Sequence, residues 1–124
     1  KINEVEITFL QQDILKATTL TKVDAIISNP PYVLNNEKEL MLANVLDNEP
    51  HLALFVPNNN PLLFYNKIAD LAFTSLPKNG LLFFEINEHF DKETLVMLSA
   101  IGFVDIELKK DINDKPRMIK ARKN

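Results

Sequence analysis

The chain has 124 residues, no cysteine and a formal net charge of −3, so it is expected to be one domain without disulfide or thiolate chemistry. Its mildly acidic balance gives no electrostatic footprint for strong nonspecific nucleic-acid binding, and no apolar run approaches the ~18–20 residues of a membrane span. The polar opening Lys1-Ile2-Asn3-Glu4 does not read as a signal peptide, and with the missing cysteines it leads to the expectation of a cytoplasmic domain.

In chain order, Val5 to Leu10 alternates and is β-branched, which predicts a first strand ending near Gln11-Gln12-Asp13. Asp24 to Ser28 is nearly all apolar, as expected of a strand buried on both faces of a parallel sheet. Val33 to Asn60 predicts a long connection with one short helix from about Glu37 to Leu46, and connections that long are usually functional. Asn60 and Pro61 form a helix start, as N-cap and first helical residue. Tyr65, Ile68, Ala69, Ala72, Phe73 and Leu76 then keep a 3,4 rhythm that gives one apolar stripe, and Pro77-Lys78-Asn79-Gly80 ends it. Leu81 to Ile86 predicts a buried strand. Asp91 caps a second helix carrying Leu95, Leu98 and Ile101, which stops at Gly102. Phe103 to Lys109 and Arg117 to Ala121 are the last strands, joined by a turn at Asn113-Asp114. The order predicts α/β architecture ending in an antiparallel pair.

Asn29-Pro30-Pro31-Tyr32, directly after the second strand, carries the chemistry. A planar NH₂ group held for methylation needs one acceptor per proton, and the Asn29 side-chain oxygen and Pro30 carbonyl supply two. Neither proline has a backbone N–H to compete, and both fix φ near −65°. Tyr32 offers a flat face for stacking. Pro-Pro is also an ordinary strand terminator, so the motif points to N-methyl transfer only as a complete tetrapeptide at a strand's C-terminal end.

Essentially the whole chain resembles the C-terminal portion of the release-factor glutamine methyltransferases, Rossmann-like S-adenosylmethionine-dependent enzymes. Besides Asn29 to Tyr32, the resemblance rests on Phe9-Leu10-Gln11-Gln12-Asp13-Ile14-Leu15, which is similar to the family's third strand and the acidic turn after it. It also rests on Glu49-Pro50-His51-Leu52-Ala53-Leu54, on the strand Gly80 to Asn87, and on a terminal hairpin from Lys110-Asp111 to Arg122. The resemblance implies S-adenosylmethionine as cofactor and class I peptide chain release factors as partners, with methyl transfer to the Gln of their Gly-Gly-Gln loop. It implies the strand order 3-2-1-4-5-7-6, in which residues 1–124 form part of a catalytic domain. The Gly-rich cofactor turn and an N-terminal helical domain would lie upstream of Lys1, so the chain alone is expected to be inactive and its binding of cofactor doubtful. Only Gly80 and Gly102 are present, and neither suits that turn.

Carried over by motif, Asn29, Pro30, Pro31 and Tyr32 form the methyl-acceptor site. Asp13 would accept from the adenine amine, Ile14 would pack on the ring, and Asn29 would also border the cofactor. Asp13 read without the resemblance is simply a turn cap. Glu49 either orders the loop or is a solvated carboxylate. Asn87, where the family often has Gly, reads as a minor change. Glu85 and Glu88, three apart on a strand end, are expected to face opposite ways. His51 and His89 lack cysteine partners, so no metal site is expected. The basic residues Lys109, Lys110, Lys115, Arg117, Lys120, Arg122 and Lys123 read first as guards of an edge strand and second as a contact surface. Without strands 1 and 2, the first strand is expected to re-pair against Asp24–Ser28, or that edge to be covered in a homodimer. Asn-Pro-Pro-Tyr is shared with N6-adenine DNA/RNA methyltransferases. That reading and a non-enzymatic association module are the alternatives.

Overall fold

The computed structural model describes residues 5–34 and 55–124. The predicted helix at Glu37–Leu46, the Glu49-Pro50 segment and His51 lie outside the described residues. Four strands form a mixed sheet: β1 (Ala25–Ser28), β4 (Leu81–Glu85), β6 (Pro116–Lys123) and β5 (Phe103–Lys110), in the order β1-β4-β6-β5. β1 runs parallel to β4, with Ala25 opposite Leu81 and Ser28 opposite Phe84. β6 is antiparallel to both β4 and β5. A second, two-stranded parallel sheet joins β2 (Val33–Leu34) to β3 (Phe55–Val56). The order of the four strands reproduces the 4-5-7-6 end of the sheet that the resemblance implies.

Helices α1 (Leu63–Ser75) and α2 (Asp91–Ile101) pack together on one face of the larger sheet. The stripe expected on α1 is the core: Tyr65, Ile68, Ala69 and Ala72 are buried with Leu76 just beyond the helix. They meet Leu82 and Phe84 of β4 and Ile119 and Ala121 of β6. Tyr65 stands edge-on to Phe84 with ring centroids 5.2 Å apart, an arrangement worth about 0.5–1.5 kcal/mol beyond its burial. α2 stops at Gly102, where φ is +114° and only glycine sits without strain.

The element ends and the edge differ from expectation. Asn60 and Pro61 form a turn instead of starting the helix: the Asn60 carbonyl accepts from Leu63 N–H at 3.2 Å, and α1 begins two residues after Pro61 without a side-chain cap. Asp91 opens α2 without capping it. The cap falls to Asn87, which starts a 3₁₀ turn at Glu88–Phe90.

Val5 to Leu10 forms no strand and does not re-pair with β1. Val5, Ile7, Phe9 and Leu10 are all exposed, because alternation makes a strand only where a sheet edge and a core face receive it. β1 is consequently an edge strand in this chain, and Ile27 is 82% exposed on the sheet face away from the helices. The basic hairpin is also not an edge guard as a whole. β6 is interior, and three of its four cations pair with carboxylates: Arg117 with Asp111, Lys120 with Glu107, and Arg122 with Asp105, while Lys123 donates to the Leu76 carbonyl.

Candidate acceptor site

Residues 29–32 leave the C-terminal end of β1, beside the end of the parallel strand β4. Strand ends of this kind are where open α/β sheets bind ligands. Pro30 is buried, Pro31 and Tyr32 are half-buried, and Asn29 is exposed. Tyr32 is held at both ends. Its main-chain carbonyl accepts from Asn87 Nδ2 at 3.0 Å, and its hydroxyl donates to Glu85 Oε1 at 3.1 Å. Burial, and then the Glu85 carboxylate beside it, push the Tyr32 phenol above its usual range, so it remains a donor at neutral pH.

The supports come from three elements. Tyr65 of α1 donates its hydroxyl to the Glu85 main-chain carbonyl at 3.1 Å. Burial pushes the Tyr65 phenol well above its ordinary value. Arg117 of β6 donates to Asp111 Oδ2 at 3.1 Å and to the Ile86 carbonyl at 3.4 Å. Burial works against the Arg117 charge, but the Asp111 hydrogen bond and the nearby Tyr32, Asp111 and Glu85 groups outweigh it and raise its pKa.

Asn87 is therefore no minor departure. It ties the loop to β4, and its Oδ1 accepts from His89 N–H at 3.0 Å. Glu85 and Glu88 do diverge as expected: Glu85 turns to Tyr32, and Glu88 pairs with Lys115 at 3.2 Å. Glu85 and Arg117 are the residues that sequence reasoning passed over. Their signal was faint. Glu85 is the last residue of a strand pairing parallel with the motif strand, and Arg117 lies on the last strand, which the implied order 3-2-1-4-5-7-6 already sets beside it.

Two open clefts flank the loop. One, of about 720 Å³, brings Asp13 and Ile14 to Pro30 and Pro31, with Ile26 and Phe64 as apolar walls. The other, of about 560 Å³, lies on the sheet face away from the two helices and includes Asn29 and Glu85. Of the residues expected to border the cofactor, Asp13 and Ile14 thus share a cleft with the prolines, while Asn29 opens on the other side of the strand.

Asp13 is exposed and also caps its own turn, accepting from Leu15 N–H at 3.0 Å and pairing with Lys16 at 3.2 Å. The Lys16 hydrogen bond foremost holds the Asp13 carboxyl below its usual value, so it is an anion and a pure acceptor at neutral pH. Gly80 and Gly102 precede β4 and β5, at the opposite end of the sheet from Asn29. The described residues thus place a carboxylate acceptor, Asp13, and an apolar side chain, Ile14, in the cleft beside the prolines, and supply no glycine turn near the loop.

The architecture is that of part of a Rossmann-like α/β sheet. A solved structure titled a possible exported protein from Bordetella parapertussis has the same fold, with a TM-score of 0.51 at 16% identity over 90% of this chain and 42% of its own. No protein-family model matches. Along 97% of its length the chain is similar to the protein named release factor glutamine methyltransferase of Flavobacterium psychrophilum, 52% identical over 121 residues. The similarly named protein of Bacteroides thetaiotaomicron is 43% identical over 122 residues. The resemblance to release-factor glutamine methyltransferases is thus shown for nearly the whole chain. The chain spans 42% and 44% of those two relatives, less than half their length.

Proposed function

We propose that residues 1–124 are the acceptor-holding part of an S-adenosylmethionine-dependent protein-(glutamine-N5) methyltransferase whose substrate is the Gly-Gly-Gln glutamine of class I release factors, working in the cytoplasm. The observation that carries this reading is the Asn29–Tyr32 loop, fixed at a parallel strand end by Glu85 and Asn87. The names of the relatives support the choice of methyl transfer and of substrate.

A glutamine amide nitrogen is a weak nucleophile because its lone pair is delocalised into the carbonyl. Asn29 Oδ1 and the Pro30 carbonyl would each accept one of its protons, adding electron density at nitrogen and fixing the angle of attack. S-adenosylmethionine, when bound, supplies the methyl group. What this chain contributes is position and oriented dipoles, and no general base is required before transfer. Tyr32 packs beside the amide. Asp13 and Ile14 would take the adenine edge and ring. Self-association of the 124-residue chain when it stands alone is part of the proposal, on the ground that among the described residues nothing pairs with the outer edge of β1 and Ile27 is exposed.

The test is intact-mass detection of methyl transfer to a release factor by the protein expressed from its complete reading frame, with its Asn29→Ala variant alongside. One added methyl on the Gly-Gly-Gln glutamine, lost in Asn29→Ala, is the expected result. No transfer to the release factor, with transfer to adenine in nucleic acid, would replace the substrate assignment.

A further inference from the structure

We propose that Glu85 and Arg117 are positioning residues that set the aim of the acceptor loop through the Tyr32 hydroxyl, an inference that rests on reading the Asn29–Tyr32 loop as the acceptor site. The loop has little freedom of its own. Pro30 and Pro31 have fixed φ, and Asn29 and Pro30, each preceding a proline, are confined to extended conformations. One end of this stiff arm grows out of β1, so the soft joint is Tyr32. That joint is where side chains from the rest of the fold converge.

Glu85 takes the hydroxyl at 3.1 Å, while its own main-chain carbonyl is held by Tyr65 of α1 at 3.1 Å. Arg117 lies on β6 one residue before Met118, the partner of Glu85 in the β4–β6 pairing. The Ile86 N–H donates to the Arg117 carbonyl at 2.9 Å and the Ile86 carbonyl accepts from the Arg117 guanidinium at 3.4 Å, so this cation is fixed to the strand that carries Glu85. Asp111 holds the guanidinium from the hairpin turn at 3.1 Å. Here the terminal hairpin, the central strand and a helix all bear on the Tyr32 side chain through Glu85.

The experiment uses the protein from its complete reading frame, with a release factor as acceptor. Tyr32→Phe, Glu85→Ala, Glu85→Gln, Arg117→Lys and the double variant Tyr32→Phe/Glu85→Ala are compared by kcat, KM for the acceptor and thermal midpoint. Tyr32→Phe and Glu85→Ala are each expected to lower kcat by about ten- to a hundredfold, the scale of a misplaced reacting group, with KM changed much less. The double variant is expected to be no worse than either single one, because both remove the same contact. Glu85→Gln, which keeps an acceptor, recovers most of the rate, and Arg117→Lys falls between.

Effects that multiply in the double variant, or a folded Glu85→Ala with wild-type kcat, overturn the proposal. An inactive Asn29→Ala beside multiplying effects sinks only this inference, whereas an active Asn29→Ala sinks the acceptor reading beneath it. Hydrogen exchange over residues 25–34 gives a readout independent of turnover. Protection is expected to fall alike in Tyr32→Phe and Glu85→Ala, and unchanged protection in both also overturns the proposal.

Discussion

The buried side chain of Asn87 donates to the main-chain carbonyl of Tyr32 across 55 residues of sequence and accepts from the His89 N–H, each at 3.0 Å. One amide thereby starts the 3₁₀ turn before α2 and fixes the end of the Asn29–Tyr32 loop. Asn87→Ala leaves a half-buried carbonyl and an N–H without that partner. A loss of about 1–3 kcal/mol is expected in urea unfolding, and a variant as stable as the parent would show the bonds to be dispensable.

Gly102 closes α2 at φ +114°, and a Cβ there would lie 3.0 Å from Cζ of Phe73. Phe73 is not free to yield, since it stands edge-on to Phe103 at 5.2 Å with the Lys123 ammonium 5.2 Å from its ring centroid. Gly102→Ala is therefore expected to destabilise by at least about 1–3 kcal/mol, the usual cost of a strained backbone position. Thermal unfolding measures it, and an unchanged midpoint contradicts it.

Asp111 closes the β5–β6 turn, accepting from Asn113 and Lys115 N–H and from Arg117. The Lys115 N–H foremost, with Asn113 and Arg117, holds its carboxyl below the ordinary 3.8. A carboxyl with a lowered folded pKa contributes stability above its unfolded value and loses that contribution as pH falls through the folded one. Asp111→Asn should thus be less stable than the parent at neutral pH, with the gap closing below about pH 4. Paired melting curves from pH 7 to pH 3 test this. A gap that stays constant excludes the linkage.

Among the described residues no strand pairs with the outer edge of β1, and Ile27 is 82% exposed beside it. Sedimentation of the 124-residue chain by itself is expected to show concentration-dependent association, which Ile27→Lys reduces without lowering the melting temperature. A strictly monomeric parent chain would remove the edge as an association surface.

The α1 stripe, β4, the Gly102 stop and the terminal hairpin were legible in the sequence, because each depends on local periodicity or on a residue with special backbone freedom. Asn60-Pro61 misled because a cap-and-proline pair also makes a turn, and the choice lies with the packing of α1 against the sheet. Val5 to Leu10 misled for a related reason: alternation describes a strand's faces without supplying its neighbours. The basic residues of β6 read as edge guards from their charge, although the implied strand order already sets the last strand inside the sheet, where pairing places it.

What the sequence determined by itself is the chemistry on offer at Asn29-Pro30-Pro31-Tyr32, since proline stiffness and amide hydrogen bonding are properties of the residues. Only the tertiary structure decided what holds that tetrapeptide in place. Glu85, Asn87 and Arg117 lie 53 to 85 positions from Tyr32 in sequence, and they reach it through parallel pairing of β1 with β4 and antiparallel insertion of β6. Contacts between residues so far apart depend on which strands become neighbours, and that is settled by burial of the α1 and α2 faces against one side of the sheet.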